Sequence, residues 1–308
     1  MRINSADELK TRIAKFHASH KLPGLGTRES QARFAEKLFE SEKKLRAFSM
    51  QKFGGSTDPS RKNFHPLRAV VEAFNAGDRD ESIWLAFLFT HFGWDPRSPR
   101  IRDTVRLFYG KFGKGRWDWK TIYRRPGAVE DWMHANRKKI QRLKFGNHRK
   151  YETNNPDSPI GTPAVIRSFV EWVRQTASSP YEALCAVTKG RTPEIAFDNA
   201  YKEISVARFG RTGRFDFLCL VGNLGIMQIS PPHCYLAEGT GPGTGALQMV
   251  TGKRSGQFTV EVEDTIRRFR KHLGVHVEAM EDALCNWQKR LKSKGGSAER
   301  GYITITCG

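Results

Sequence analysis

Residues 236–274 read LAEGTGPGTGALQMVTGKRSGQFTVEVEDTIRRFRKHLG. The stretch divides into a glycine-rich turn that opens a helix, a linker with turn signals, and a carboxylate, Asp264, at the start of a basic helix that ends at Leu273-Gly274. The glycines at 239, 241, 243 and 245 invite comparison with two phosphate loops, and both fail on context. A nucleoside-triphosphate loop needs G-x-x-x-x-G-K-S/T, and no lysine follows the last glycine. A dinucleotide fold needs its glycines between a strand and a helix. Here Pro231, Pro232 and His233 come first, and no strand–helix alternation surrounds them. What remains is a tight turn between two short helices, where glycine lets the backbone approach a phosphate with free N–H donors.

Outward from this stretch, helix start signals recur. Ser5-x-x-Glu8 has capping-box spacing, Thr27 precedes a long amphipathic run, and Ser98-Pro99, Thr162-Pro163, Ser179-Pro180 and Thr192-Pro193 each open an apolar-periodic segment. Capping hydroxyls and proline belong in the first turn, where backbone donors lack intrahelical partners. An all-α fold is therefore expected. Only Phe258 to Val262 and Tyr302 to Thr306 read as short strands. The most apolar helix, SIWLAFLFTHF at 82–92, carries bulky residues around most of its circumference and reads as a buried core helix closed by Gly93. Residues 1–54 are expected to form an accessory helical segment and 65–308 the main domain, with GGSTDPSRKNF at 54–64 as the loop between them.

Composition narrows the partners. Fifty-two Lys and Arg against 32 Asp and Glu give a net charge of +20, which favours a polyanion, nucleic acid before a membrane. No segment approaches the roughly 20 apolar residues of a spanning helix, and the N-terminus lacks a signal-peptide core, so a cytosolic protein is expected. Five cysteines, Cys185, Cys219, Cys234, Cys285 and Cys307, show no C-x-x-C pair, so no disulfide framework, metal site or iron–sulfur loop is expected. Between Arg97 and Lys150 basic residues alternate with Phe108, Tyr109, Phe112, Trp117, Trp119 and Tyr123, a pattern suited to phosphate neutralisation and base stacking.

At this point the motifs resemble a family. Gly239-Thr240-Gly241-Pro242-Gly243-Thr244-Gly245 lies along the G-V-G-x-x-T-A portion of the hairpin of helix-hairpin-helix DNA glycosylases, and Glu263-Asp264-Thr265-Ile266-Arg267-Arg268 follows at a similar separation to their V-D-T-H-V-x-R motif. Glu238 replaces the usual proline, Gly245 the usual alanine, and Gly243 the lysine of strand-nicking members. The segments at 75–93 (NAGDRDESIWLAFLFTHFG), 144–151 (KFGNHRKY) and 211–226 (RTGRFDFLCLVGNLGI) look like the divergent alpha-glutamyl/putrescinyl thymine pyrophosphorylases. Some bacterial members of that neighbourhood resemble anti-phage glycosylases acting on glucosylated hydroxymethylcytosine.

The resemblance implies two packed helical subdomains with an active-site cleft between them. It implies a monofunctional DNA N-glycosylase that flips out and excises a hypermodified, glucosylated hydroxymethyl pyrimidine from double-stranded phage DNA, as a monomer without cofactor or metal. Asp264 would stabilise the sugar cation, and Gly239, Gly241, Gly243, Thr244, Gly245, Arg267, Arg268 and Arg270 would hold DNA. Trp84, His91, Asn147, His148, Tyr151 and Asp216 would line the base pocket. Two other readings stay open. The same scaffold suits group transfer, in which an activated hydroxymethyl pyrimidine loses pyrophosphate and gains an amine or amino acid. It also suits a DNA-binding module without catalysis.

Overall fold

The computed structural model describes residues 3–289. Fifteen α-helices follow one another among the described residues: α1 (Ala6–Ser19), α2 (Arg28–Ser49), α3 (Pro66–Asn75), α4 (Arg79–Phe92), α5 (Pro99–Tyr109), α6 (Trp119–Arg124), α7 (Ala128–Ala135), α8 (Arg137–Ile140), α9 (Thr162–Thr176), α10 (Pro180–Val187), α11 (Pro193–Glu203), α12 (Arg211–Asn223), α13 (Thr240–Thr251), α14 (Val260–Leu273) and α15 (Val277–Trp287). The only β pairing among them is an isolated bridge between Ser56 and Phe64, so the fold is all-α as expected. Phe258 to Val262 is not a strand. Thr259 is extended and α14 begins at Val260, so the alternation there reflects a cap followed by a first helical turn. Tyr302 to Thr306 lies outside the described residues.

The chain divides into two compact units. One joins the residues up to Arg46 with those from Pro231 onward, and the other is Ala47–Ser230. In the first, Ser5 caps α1 by accepting the Glu8 N–H at 3.1 Å, and Glu8 reaches back to the Asn4 N–H, one residue before the cap, at 2.9 Å. The buried face of α1 delivers Phe16 to Phe269 of α14, with ring centroids 4.9 Å apart. Arg12 donates to the Leu273 carbonyl at 2.6 Å, closing the last turn of α14, where unpaired carbonyls and the negative dipole end want a cation. Helix α2 is tied to α15 by charge. Ser41 donates to the buried Asp282 carboxylate at 2.6 Å, and Glu42 accepts the His276 N–H at 2.7 Å.

The second unit is built on α4. Every residue from Ser82 to Phe92 is buried, as a helix apolar around its circumference requires. Phe87 stacks on Phe169 of α9 at 4.0 Å, and Trp84 lies between Phe87 and Trp119. Gly93 ends the helix at φ 66°, a conformation glycine adopts without steric cost. Near the start of α4, Glu81 accepts the Tyr109 hydroxyl at 2.6 Å and the Trp119 N–H at 2.7 Å, fastening the end of α5 and the start of α6 to the core helix.

Burial is the main cause that pushes the Glu81 carboxyl up to about 7, against these two hydrogen bonds, which favour the charged form. Between about pH 4.5, its unfolded value, and about 7, the folded state therefore holds more protons than the unfolded one. The stability this group contributes is present below that window and is lost as pH rises through it, on the order of 3 kcal/mol in all. Urea midpoints for wild type and Glu81→Gln at pH 5 and pH 8 check this. The wild type should lose stability relative to the variant between the two, and a constant difference would refute the assignment.

Candidate functional site

The glycine motif departs from the expected turn between two short helices. Only a three-residue 3-10 turn, Leu236–Glu238, precedes it, with Tyr235 left-handed at φ 48°, and Gly239 is the N-cap of α13. Gly241, Gly243 and Gly245 lie inside that helix and none has a positive φ. Their role is close approach. A Cβ on Gly245 would stand 2.2 Å from the Leu284 carbonyl oxygen of α15, one on Gly243 would stand 2.7 Å from the Leu236 oxygen, and one on Gly241 2.7 Å from Cys285 Sγ. Gly24, in the 3-10 turn Pro23–Leu25, meets the Gln248 carbonyl from another side in the same way. Glycine at these sites trades helix propensity for backbone contact. For an anion, α13 keeps the first-turn N–H groups of Thr240 and Gly241, since Pro242 has none and the Gly243 N–H bonds to the Gly239 carbonyl at 2.7 Å. Thr244 turns its hydroxyl back to the Thr240 carbonyl at 2.7 Å.

The paired carboxylates Glu263 and Asp264 divide their work. Asp264 stands in the second turn of α14, not at its start, is half exposed, and bonds Arg267 at 2.8 Å. Glu263 points the other way. It accepts the Leu236 N–H at 2.8 Å and meets His233 Nδ1 at 3.2 Å, holding the 3-10 turn before α13. Arg268 reaches Thr265 at 3.3 Å, and Arg270 donates to the Val275 carbonyl at 3.0 Å, tying the chain after α14 to its last turn.

In the second unit the three family-like segments converge on one buried guanidinium. The Gly146 N–H bonds the Phe92 carbonyl at 2.6 Å, and the backbones of Gly93 and Gly146 touch so closely that a Cβ on Gly146 would lie 2.9 Å from the Gly93 Cα. This seats the loop after Lys144 on the end of α4. Arg149, 4% exposed, then donates to the His91 carbonyl at 3.3 Å and the Arg208 carbonyl at 3.2 Å, and pairs with Glu152 at 3.6 Å. Glu152 also holds Arg208 at 3.2 Å. Gly213 of α12 leaves room for Arg149, since a Cβ there would be 3.0 Å from its Nη1. Burial lowers the Arg149 pKa, while the charges of Glu152 and Asp216 favour its cation.

His91 is fully buried, and its pKa lies well below the usual histidine value because of burial and the nearby Arg149 charge, so the ring is neutral. Its Nε2 meets Thr162 Oγ1 at 3.1 Å, and its Nδ1 has no hydrogen-bond partner among the described residues. Thr162 sits among buried oxygens, 3.2 Å from Asn154 Oδ1 and 3.3 Å from the Thr153 carbonyl. This is why Thr162 does not cap α9, which starts from Gly161 instead.

The predicted pocket residues thus fall into separate places. Trp84 is a core residue, 0% exposed, donating to the Trp117 carbonyl at 2.6 Å. His91 and Asp216 flank Arg149, His148 is half-buried beside it in sequence, and Asn147 begins the short 3-10 turn Asn147–Arg149. Tyr151 is 75% exposed, with Lys150 Nζ 4.8 Å from its ring centroid, open to stacking. Arg149, Glu152, Asn154 and Thr162 were missed, because nothing local separates Arg149 from the solvated cations around it.

A family model described as alpha-glutamyl/putrescinyl thymine pyrophosphorylase clade 3 matches residues 29–294, and the chain belongs to that family. No curated protein and no solved structure matches it. Membership overturns the expectation of a DNA N-glycosylase. The family is named for a pyrophosphorylase, a transferase chemistry, and not for hydrolysis of an N-glycosyl bond. No helix among the described residues is long and apolar enough to cross a membrane.

Two substitutions test these assignments. Gly245→Ala should cost about 1–3 kcal/mol by overpacking the α13–α15 crossing. Gly127→Ala, which meets nothing within 4 Å, should be nearly silent. Equal thermal midpoints for both would remove the packing role. Arg149→Met should cost about 3 kcal/mol by leaving the buried Glu152 carboxylate with Arg208 alone and the His91 carbonyl without its donor, with part recovered in Arg149→Met/Glu152→Gln. Additive losses in the double-mutant cycle would show that the pair does not act as a unit.

Proposed function

We propose that this chain modifies DNA by transferring an amine or amino acid onto an activated hydroxymethyl pyrimidine. The pyrimidine methylene carbon loses its bond to oxygen, pyrophosphate leaves with the electron pair, the nucleophile's nitrogen forms a new bond to that carbon, and a proton is released. The sugar–base bond stays intact. Family membership over residues 29–294 carries this reading, and the net charge of +20 supports a polyanionic substrate.

The transition state of such a displacement places positive charge on the pyrimidine methylene and negative charge on the departing oxygens, so a fixed carboxylate and nearby cations both lower its energy. Asp264 supplies the carboxylate and Arg267, 2.8 Å away, a cation on the same helix face. The first-turn N–H groups of Thr240 and Gly241, with Arg268, suit backbone phosphates. Tyr151, exposed and flanked by Lys150, suits stacking on a displaced base.

The test is incubation of purified protein with DNA bearing pyrophosphorylated hydroxymethyluracil, with glutamate or putrescine supplied, followed by nucleoside mass spectrometry and pyrophosphate assay. Intact strands carrying an aminated base are expected, with Asp264→Asn slowing product formation by about a hundredfold or more at unchanged DNA affinity. Abasic sites without adduct would refute the transfer, and DNA binding without any product would favour a binding module. Full activity in Asp264→Asn would remove that residue from the mechanism.

A further inference from the structure

A cavity of about 800 Å³ lies within the second unit, against α5, α8 and the residues that follow α8. Arg100, Lys139, Arg142 and Lys144 line it, together with Leu107, Phe112 and Leu143. Its one carboxylate, Asp103, is already occupied by Arg102 at 3.2 Å and Arg106 at 3.6 Å. No carboxylate among the described residues pairs with Arg100, Lys139, Arg142 or Lys144, although ion pairs are common elsewhere on the surface. The opening is therefore strongly cationic.

The walls are fixed in place. Thr104 accepts the Lys144 N–H at 3.1 Å and donates to the Lys144 carbonyl at 2.9 Å, and Asn154 donates to the Leu143 carbonyl at 3.3 Å. On the other side, Lys111 and Phe112 hold consecutive positive φ angles of 50° and 56°, a conformation that bulky residues rarely adopt. It keeps the Phe112 ring on Trp132, with centroids 5.2 Å apart, and Lys139 Nζ 5.5 Å over the same ring. Strain of this kind persists where the surroundings hold the residue in place, and here they hold an aromatic ring at the edge of a cationic opening.

We propose that this cavity binds the phosphodiester backbone of an unpaired DNA strand. The cations match successive phosphates, and an apolar wall beside them suits sugars and bases, which a paired duplex keeps inside. The cavity belongs to the second unit, whereas Asp264 and α13 belong to the first, and its assignment rests on the reading of DNA as substrate.

Fluorescence anisotropy with a labelled single-stranded oligothymidylate and with a blunt duplex tests it, using Arg100→Ala/Arg142→Ala/Lys144→Ala against the control Lys189→Ala/Arg191→Ala. All five residues are exposed, so both variants should keep the wild-type thermal midpoint. The triple variant should bind single strands about tenfold or more weakly, with a slope of log K against log salt shallower by about 2, and the control should bind as wild type. Wild-type affinity in the triple variant would overturn the cavity assignment alone. Failure of the wild type to bind either DNA would overturn the DNA reading itself. An equal loss on the duplex would exclude the unpaired strand, and displacement of the oligonucleotide by inorganic pyrophosphate at equal phosphate concentration would assign the cavity to a free oligophosphate.

Discussion

The buried guanidinium of Arg149 is the constraint on which the second unit depends. Helix α4 is apolar all round, so the carbonyls at its C-terminal end cannot turn to water and need donors from within the protein. The Gly146 N–H takes the Phe92 carbonyl and Arg149 takes that of His91. A charge so deep requires compensation, and Glu152 and Asp216 supply it. Glu152 in turn holds Arg208, whose own carbonyl accepts from Arg149, so loop, helix end and the approach to α12 close into one network. Partial satisfaction of such a network would be worse than an apolar core, which explains why glycine at 93, 146 and 213 clears space around it.

The first unit solves a different problem with the same residue type. Helix α13 lies so close to α15 and to the Pro23–Leu25 turn that three backbones meet without side chains between them. Two consequences follow for chemistry. The glycines that look like a phosphate loop are mostly consumed by packing, leaving two first-turn donors, and the turn before α13 is held by Glu263 and not by proline. Adjacent carboxylates on one helix thus have unlike fates, one spent on structure and one left half exposed beside an arginine.

Much of the fold was legible because local chemistry decides it. Ser5, Ser179 and Thr192 cap the helices they precede, and Pro99, Pro180 and Pro193 stand in first turns. The core role of residues 82–92 followed from apolar content alone. What failed depended on partners far away in the chain. Thr162 looks like any capping threonine until His91 and Asn154 are seen to claim its hydroxyl. Val260 and Val262 read as strand by type, yet Thr259 starts a helix there and Val260 stays 79% exposed. Gly245 reads as a turn residue until Leu284 is placed against it. The joining of the N-terminal helices to α13–α15, across the whole of the second unit in sequence, has no local signature at all.

The choice of reaction failed for a deeper reason. A half-exposed carboxylate on a basic helix stabilises whichever cation is brought to it, whether a sugar ring losing its base or a pyrimidine methylene losing pyrophosphate. Both reactions ask for phosphate grips, stacking surfaces and a fixed negative charge, so the residue types at 239–245 and 263–270 are compatible with either. What separates them is the leaving group. Sugar–base cleavage releases a base and needs an activated water, whereas transfer releases a highly charged pyrophosphate and needs cations to receive it. A chain carrying 20 more basic than acidic residues has them to spare. Family membership over residues 29–294 points to the same side of that division.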